Sequence, residues 1–114
     1  MKLVDKEISL EELTEMSKKM FGGMVKAVVD IEKQIMVVDA ELHADQELFL
    51  LENDSKQEHL WGINLHPDQK GTENFVEFDS MINLRPVDNN RTRGVDDPKM
   101  RDHIIKIVNK LVKL

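Results

Sequence analysis

Asp39, Glu41 and His43 alternate along the chain. If a strand runs on through Glu41, their side chains project from one side of it, two residues apart. Two carboxylates and an imidazole held that way suit a divalent metal ion that keeps positions open for water. A metal-bound hydroxide would then make the chain a small metal-assisted hydrolase. The plainer reading puts Glu41 and Asp45 at the start of a helix, where their charge complements its dipole. His43 is then a cap or a surface residue.

A second group lies between Arg85 and Gly94. Arg85, Arg91 and Arg93, with Asn83 and Asn90 alongside, offer planar guanidinium forks and amides that can grip a phosphate or carboxylate. The helix that follows aims its positive N-terminus at the same region. Asp88, Asp96 and Asp97 supply the alternative, an ordered loop held by its own salt bridges. The segment has one glycine and no Gly-Lys-Ser/Thr, so it is not a phosphate-binding P-loop.

A third group pairs Gly62, Asn64 and His66 on one strand with Asp79, Asn83 and Arg85 on the next. In register they form a polar floor on which His66 and Asp79 serve as acid and base. Equally, they form the solvent-facing side of an antiparallel sheet.

Other chemistries are excluded by residue type. The chain has no cysteine, which removes disulfides, thiolate zinc sites, iron–sulfur clusters and cysteine nucleophiles. It carries no Gly-x-Ser-x-Gly elbow, no Gly-x-Gly-x-x-Gly and no His-Glu-x-x-His. With one Trp and no Tyr, base-stacking platforms of the RNA-binding kind are not expected. A formal net charge of −6 argues against sequence-independent nucleic-acid binding. That charge is uneven: residues 1–84 hold 8 Lys and Arg against 18 Asp and Glu, whereas residues 85–114 hold 8 against 4. Such polarity can steer a partner or oppose two subunits head to tail.

The elements that must position these groups are legible from capping and periodicity. Ser9 and Glu12 form a capping box, with Ile8 and Leu13 placed for a hydrophobic staple. Leu10, Leu13, Met16 and Met20 continue that helix as an apolar stripe, and Gly22-Gly23 offers a left-handed exit. Alternation from Val25 to Ile31 and the apolar run Ile35 to Val38 predict two strands joined as a hairpin. A second helix is expected from about His43 to Asn53, with Ala44, Leu48 and Leu51 on its apolar face. A third strand fits Leu60 to Leu65, and a fourth, longer one Phe75 to Arg85, closed by Pro86. Asp97 and Pro98 open the last helix, whose stripe is Met100, Ile104, Ile107, Val108 and Leu111.

The order is α-β-β-α-β-β-α in a single domain of 114 residues. It predicts an α+β fold: a four-stranded antiparallel or mixed sheet with helices on one face or at its ends. No run approaches the ~18 apolar residues of a membrane span, and Met1 to Leu10 lacks a signal-peptide core, so a cytoplasmic location is expected.

Several stretches resemble a small prokaryotic family of uncharacterised proteins. They are Val28 to Ile31, Asp39 to Asp45, Leu60 to Asn64, Asp79 to Pro86 and the segment around Asn90 and Arg91. The likeness covers most of the chain from Val25 onward. It implies a self-contained domain and assigns no role to any residue.

The leading expectation is a non-enzymatic binding or interaction module without a cofactor. Its candidate surface for an anion or a protein partner is Asn83, Arg85, Asn90, Arg91 and Arg93, and self-association is one form it can take. The runner-up is the metal-assisted hydrolase at Asp39, Glu41 and His43, which needs a divalent metal. A nucleic-acid-associated accessory role is the third.

Overall fold

The computed structural model describes residues 1–20 and 22–114. Its strands are β1 (Lys2–Val4), β2 (Ile8–Ser9), β3 (Val25–Asp30), β4 (Ile35–Val38), β5 (Leu60–Leu65), β6 (Val76–Glu77) and β7 (Val112–Lys113). The helices are α1 (Leu10–Lys18), α2 (His43–Glu52) and α3 (Pro98–Leu111). The main sheet has the order β1-β4-β3-β5-β6, every neighbouring pair antiparallel. A separate parallel pair, β2 with β7, sets Ile8 opposite Val112.

The α+β expectation is met, with five strands in the main sheet rather than four. Residues 2–4 add an edge strand beside β4, which turns the both-sides-apolar run Ile35–Val38 into an interior strand. Interior strands need cover on both faces, and so the helices lie on both rather than on one. Val25, Ala27 and Val29 of β3 and Trp61, Ile63 and Leu65 of β5 pack with Leu13 and Met16 of α1 and with Ile104, Ile107, Val108 and Leu111 of α3. On the opposite face Val28, Val37 and Leu60 meet Leu50 and Phe49 of α2.

The caps form largely as their residue types dictate. Ser9 Oγ accepts from the Glu12 amide at 3.0 Å, and Ile8 and Leu13 are buried in one cluster. The Glu12 carboxylate takes the Lys2 ammonium at 2.6 Å. Asp97 caps α3 through the Lys99 amide at 2.9 Å.

The buried face of α2 differs from expectation. His43, Gln46 and Leu50 point inward, whereas Ala44, Leu48 and Leu51 are exposed. Two polar side chains win because strand carbonyls beneath them need donors. Gln46 Nε2 donates to the Lys26 carbonyl at 2.8 Å, and His43 Nε2 lies 2.7 Å from that of Ile63.

The long fourth strand also breaks. Pairing with β5 ends at Glu77 opposite Asn64. Ser80 then caps a single 3-10 turn over Met81–Asn83, accepting from the Ile82 amide at 3.3 Å. One residue per partner along the register, Gly62 of β5 would have faced Asp79. Instead the Asn83 carboxamide takes that place, accepting from the Gly62 amide at 2.8 Å and donating to its carbonyl at 2.9 Å. A side chain thus completes the ladder that the backbone abandons.

Candidate ligand-binding cleft

On the α2 side of the sheet, Lys26 of β3, Asn64 of β5 and Glu77 of β6 stand in one cross-strand row. Alternation along each strand sends these three to the face away from Val25, Ala27, Ile63 and Leu65. This row floors a cleft of about 530 Å³, within the ~300–1,000 Å³ usual for small-molecule sites. One wall is the start of α2, Leu42 to Ala44. The segment Asp79 to Ile82 forms another, and His66 and Arg93 complete the rim.

Asn64 is the best-placed polar group. It is 3% exposed, and its Nδ2 donates to Glu77 Oε1 at 3.0 Å and to the Asp79 carbonyl at 3.3 Å. Its Oδ1 is buried and accepts no hydrogen bond among the described residues. Glu77 Oε1 also meets His66 Nε2 at 3.2 Å. Arg93 Nε donates to Asp79 Oδ1 at 2.7 Å, and its terminal nitrogens donate no hydrogen bond among the described residues. Lys26 is half-buried and makes no ion pair among the described residues.

His43 lies under the same wall. Burial holds its pKa below the ordinary imidazole value, and the nearby Lys26 and Arg93 charges push the same way, against the Ile63 carbonyl and Asp79. A carbonyl oxygen can only accept, so Nε2 carries the proton and Nδ1 is left as an acceptor. The α2 N-cap, Leu42, offers no side chain to the free amides of the first turn. The Asp45 amide turns back to the Leu42 carbonyl at 3.2 Å, and the Asp45 carboxylate stands in the same first turn, whose Leu42 to Ala44 line the cleft.

The three residues proposed from sequence as metal ligands do not converge. The strand that was to align them stops at Val38. Asp39 has a left-handed φ of 66°, which turns the chain, Glu41 is exposed, and His43 opens α2 with its Nε2 already engaged. Among the described residues no group of three or more His, Asp or Glu side chains stands close enough to hold a metal ion.

The arginine segment divides. Arg85 is buried, its guanidinium 4.2 Å from the centre of the Trp61 ring, and its Nη1 donates to the carbonyls of Gln57 at 2.7 Å and Leu60 at 2.8 Å. Asn83 is fully buried against Gly62 and also donates to the Arg93 carbonyl. Asn90 donates to the carbonyls of Asn83, Thr92 and Gly94 and accepts from the Asp96 amide. These three build the loop. Arg91 is exposed, with its backbone amide on Asp96, and lies outside the cleft. Arg93 alone of the five lines it.

From the third group, Asn64, His66 and Asp79 do come together, whereas Gly62 and Arg85 serve packing. Lys26 and Glu77 were passed over. The signal for Lys26 was a lone cation in the apolar run from Val25 to Val29, and for Glu77 its position two residues before Asp79.

No helix is long and apolar enough to cross a membrane among the described residues. Neither the curated proteins nor the solved structures contain a match to this chain. A family model matches residues 2–111, nearly the whole length, so the chain belongs to the family of proteins of unknown function designated DUF5674.

Proposed function

We propose that this chain is a binding module, and that the cleft over β3, β5 and β6 takes a small anion-bearing ligand. The observation that carries the reading is the pair of cations at the cleft, Lys26 without an ion-pair partner and Arg93 with its terminal nitrogens free, above the buried and half-satisfied Asn64. Lys26 is half-buried, which strengthens its charge interactions relative to water, whereas Arg93 is exposed and acts from the rim. Burial disfavours the charged form of His43, and the cleft's other charges are Lys26 and Arg93 on one side and Glu77 and Asp79 on the other.

Within this reading the arginine segment contributes one binding residue, Arg93, held by a loop that Asn83, Arg85 and Asn90 brace. The test is isothermal titration calorimetry with inorganic phosphate and with small carboxylates. Lys26→Ala and Arg93→Ala should each weaken binding about tenfold, the value of one charge-assisted hydrogen bond. Arg91→Ala should leave it unchanged. Equal affinity in all four proteins would overturn the assignment.

A further inference from the structure

The cleft holds carboxylates as well as cations. Arg93 and Asp79 stand together at 2.7 Å, and Lys26 and Glu77 lie two strands apart in one cross-strand row. Lys26, Asp79 and Arg93 are all near enough to the His43 ring to act on its charge. Each carboxylate has one oxygen engaged: Asp79 Oδ1 takes Arg93 Nε, and Glu77 Oε1 takes Asn64 and His66. Asp79 Oδ2 and Glu77 Oε2 accept no hydrogen bond among the described residues. The two side chains are 45% and 48% exposed, so a ligand in the cleft can reach them.

A ligand that is only an anion meets Lys26 and Arg93 but also two carboxylates of its own sign. One that is only a cation meets the converse. Like charges set together cost affinity, and complementary ones supply specificity. A ligand with both signs and no net charge matches all four groups. Arg93 and Asp79 set its spacing: groups already in contact call for partners on neighbouring atoms, and an α-amino acid carries its ammonium and carboxylate on one carbon. Part of the lining is apolar. Leu42 at the start of α2 and Met81 in the Asp79 to Ile82 wall are 58% and 62% exposed, with Met24 and Ile82 in the same cleft. An apolar ligand side chain would cover them. We infer that the cleft takes an apolar α-amino acid, its carboxylate at Lys26 and Arg93, its ammonium at Asp79 and Glu77, and its side chain against Leu42 and Met81. This rests on the cleft being a site for an anionic group and adds the chemical class of what bears it.

Leucine and three relatives, each lacking one of its parts, test this by calorimetry on the intact protein at neutral pH. 4-Methylpentanoate lacks the ammonium, 3-methylbutylamine the carboxylate and glycine the side chain. Leucine should bind about tenfold more tightly than either single-charge relative, the ratio that one charge-assisted hydrogen bond supplies. It should exceed glycine by about tenfold through its apolar contacts, and its NMR titration should shift the Leu42 and Met81 resonances. Equal affinity for leucine and 4-methylpentanoate overturns the zwitterion and leaves the anion reading standing. So does binding of inorganic phosphate without binding of leucine. Equal affinity for leucine and 3-methylbutylamine overturns the anion reading and this inference together, as does no binding by any of these probes or by phosphate. Leucine matched by glycine overturns the apolar side chain. Glu77→Gln keeps an acceptor for Asn64 and His66 and loses the charge, so it should cut the preference for leucine over 4-methylpentanoate several-fold. An unchanged preference overturns the ammonium contact, and where that variant fails to fold the wild-type ratios decide.

Discussion

The Asn83 carboxamide pairs with both the amide and the carbonyl of Gly62, so one side chain reproduces the contact that a continued β6 would have made. Asn83→Ala strands both buried groups of Gly62 and removes the tie to the Arg93 carbonyl. Each unpaired buried group costs about 1–3 kcal/mol, so a loss of about 2–4 kcal/mol is expected in urea unfolding. Asn83→Asp keeps the acceptor and loses both donations, and should not rescue. A variant as stable as wild type would show that these three hydrogen bonds contribute nothing net to folding.

Gly62 itself admits the turn. A Cβ there would stand 2.6 Å from both Cβ and Oγ of Ser80, the residue that caps the Met81–Asn83 turn. Gly62→Ala should therefore destabilise by about 1–3 kcal/mol through overpacking. Because the displaced segment forms one cleft wall, the same variant should weaken ligand binding as well. Stability and affinity unchanged together would refute the close approach.

Arg85 illustrates how residue type misdirects when burial is unseen. Its guanidinium stacks on Trp61 and caps two carbonyls, and burial pushes its pKa down. Arg85→Lys loses the planar stack and the forked donors, so we expect it to lose about 1–3 kcal/mol in unfolding. Phosphate affinity should be unaffected. An affinity loss with stability intact would return Arg85 to the binding surface.

The helix ends and the interior of the sheet were legible from sequence because they follow local rules. Ser9 and Asp97 carry cap chemistry, and the Ile104–Leu111 stripe has one possible periodicity. What was not legible depended on partners distant in sequence. The alternation from Phe75 to Arg85 is a sound strand pattern, yet Asn83 gains more by reaching 21 residues back to Gly62 than by extending the ladder. Leu48 and Leu51 lost the inner face of α2 to Gln46, whose reward is a carbonyl 20 residues away. Asp39 and Glu41 aligned with His43 only on a strand that a left-handed residue ends. Asn64 and Lys26 meet only once β3 and β5 pair.

His43 predicts a pH dependence with a definite sign. Its folded pKa lies below the unfolded value near 6.5, so the unfolded chain binds the proton first as pH falls. Stability from this group is complete above about pH 6.5 and declines on acidification below it, by at most about 1.4 kcal/mol per pH unit. His43→Gln keeps a donor for Ile63 and cannot titrate. The difference between wild type and this variant in urea unfolding should grow from pH 7 to pH 5. A constant difference would mean that His43 ionises alike in both states.

Asp79 offers the sharpest separation of charge from positioning. Its carboxylate holds Arg93 Nε and contributes negative potential to the cleft. It also raises the His43 pKa, against the other influences on that ring. Asp79→Asn removes the charge and keeps a side-chain oxygen that can still accept from Arg93. Phosphate should then bind more tightly, by about threefold or more, because an anion no longer meets that carboxylate. The His43 proton should leave at lower pH still, which its ring resonances report directly. A weaker phosphate affinity, with the His43 shift as expected, would mean that the ionic hold on Arg93 outweighs the repulsion. Arg93 would then bind only as Asp79 aims it.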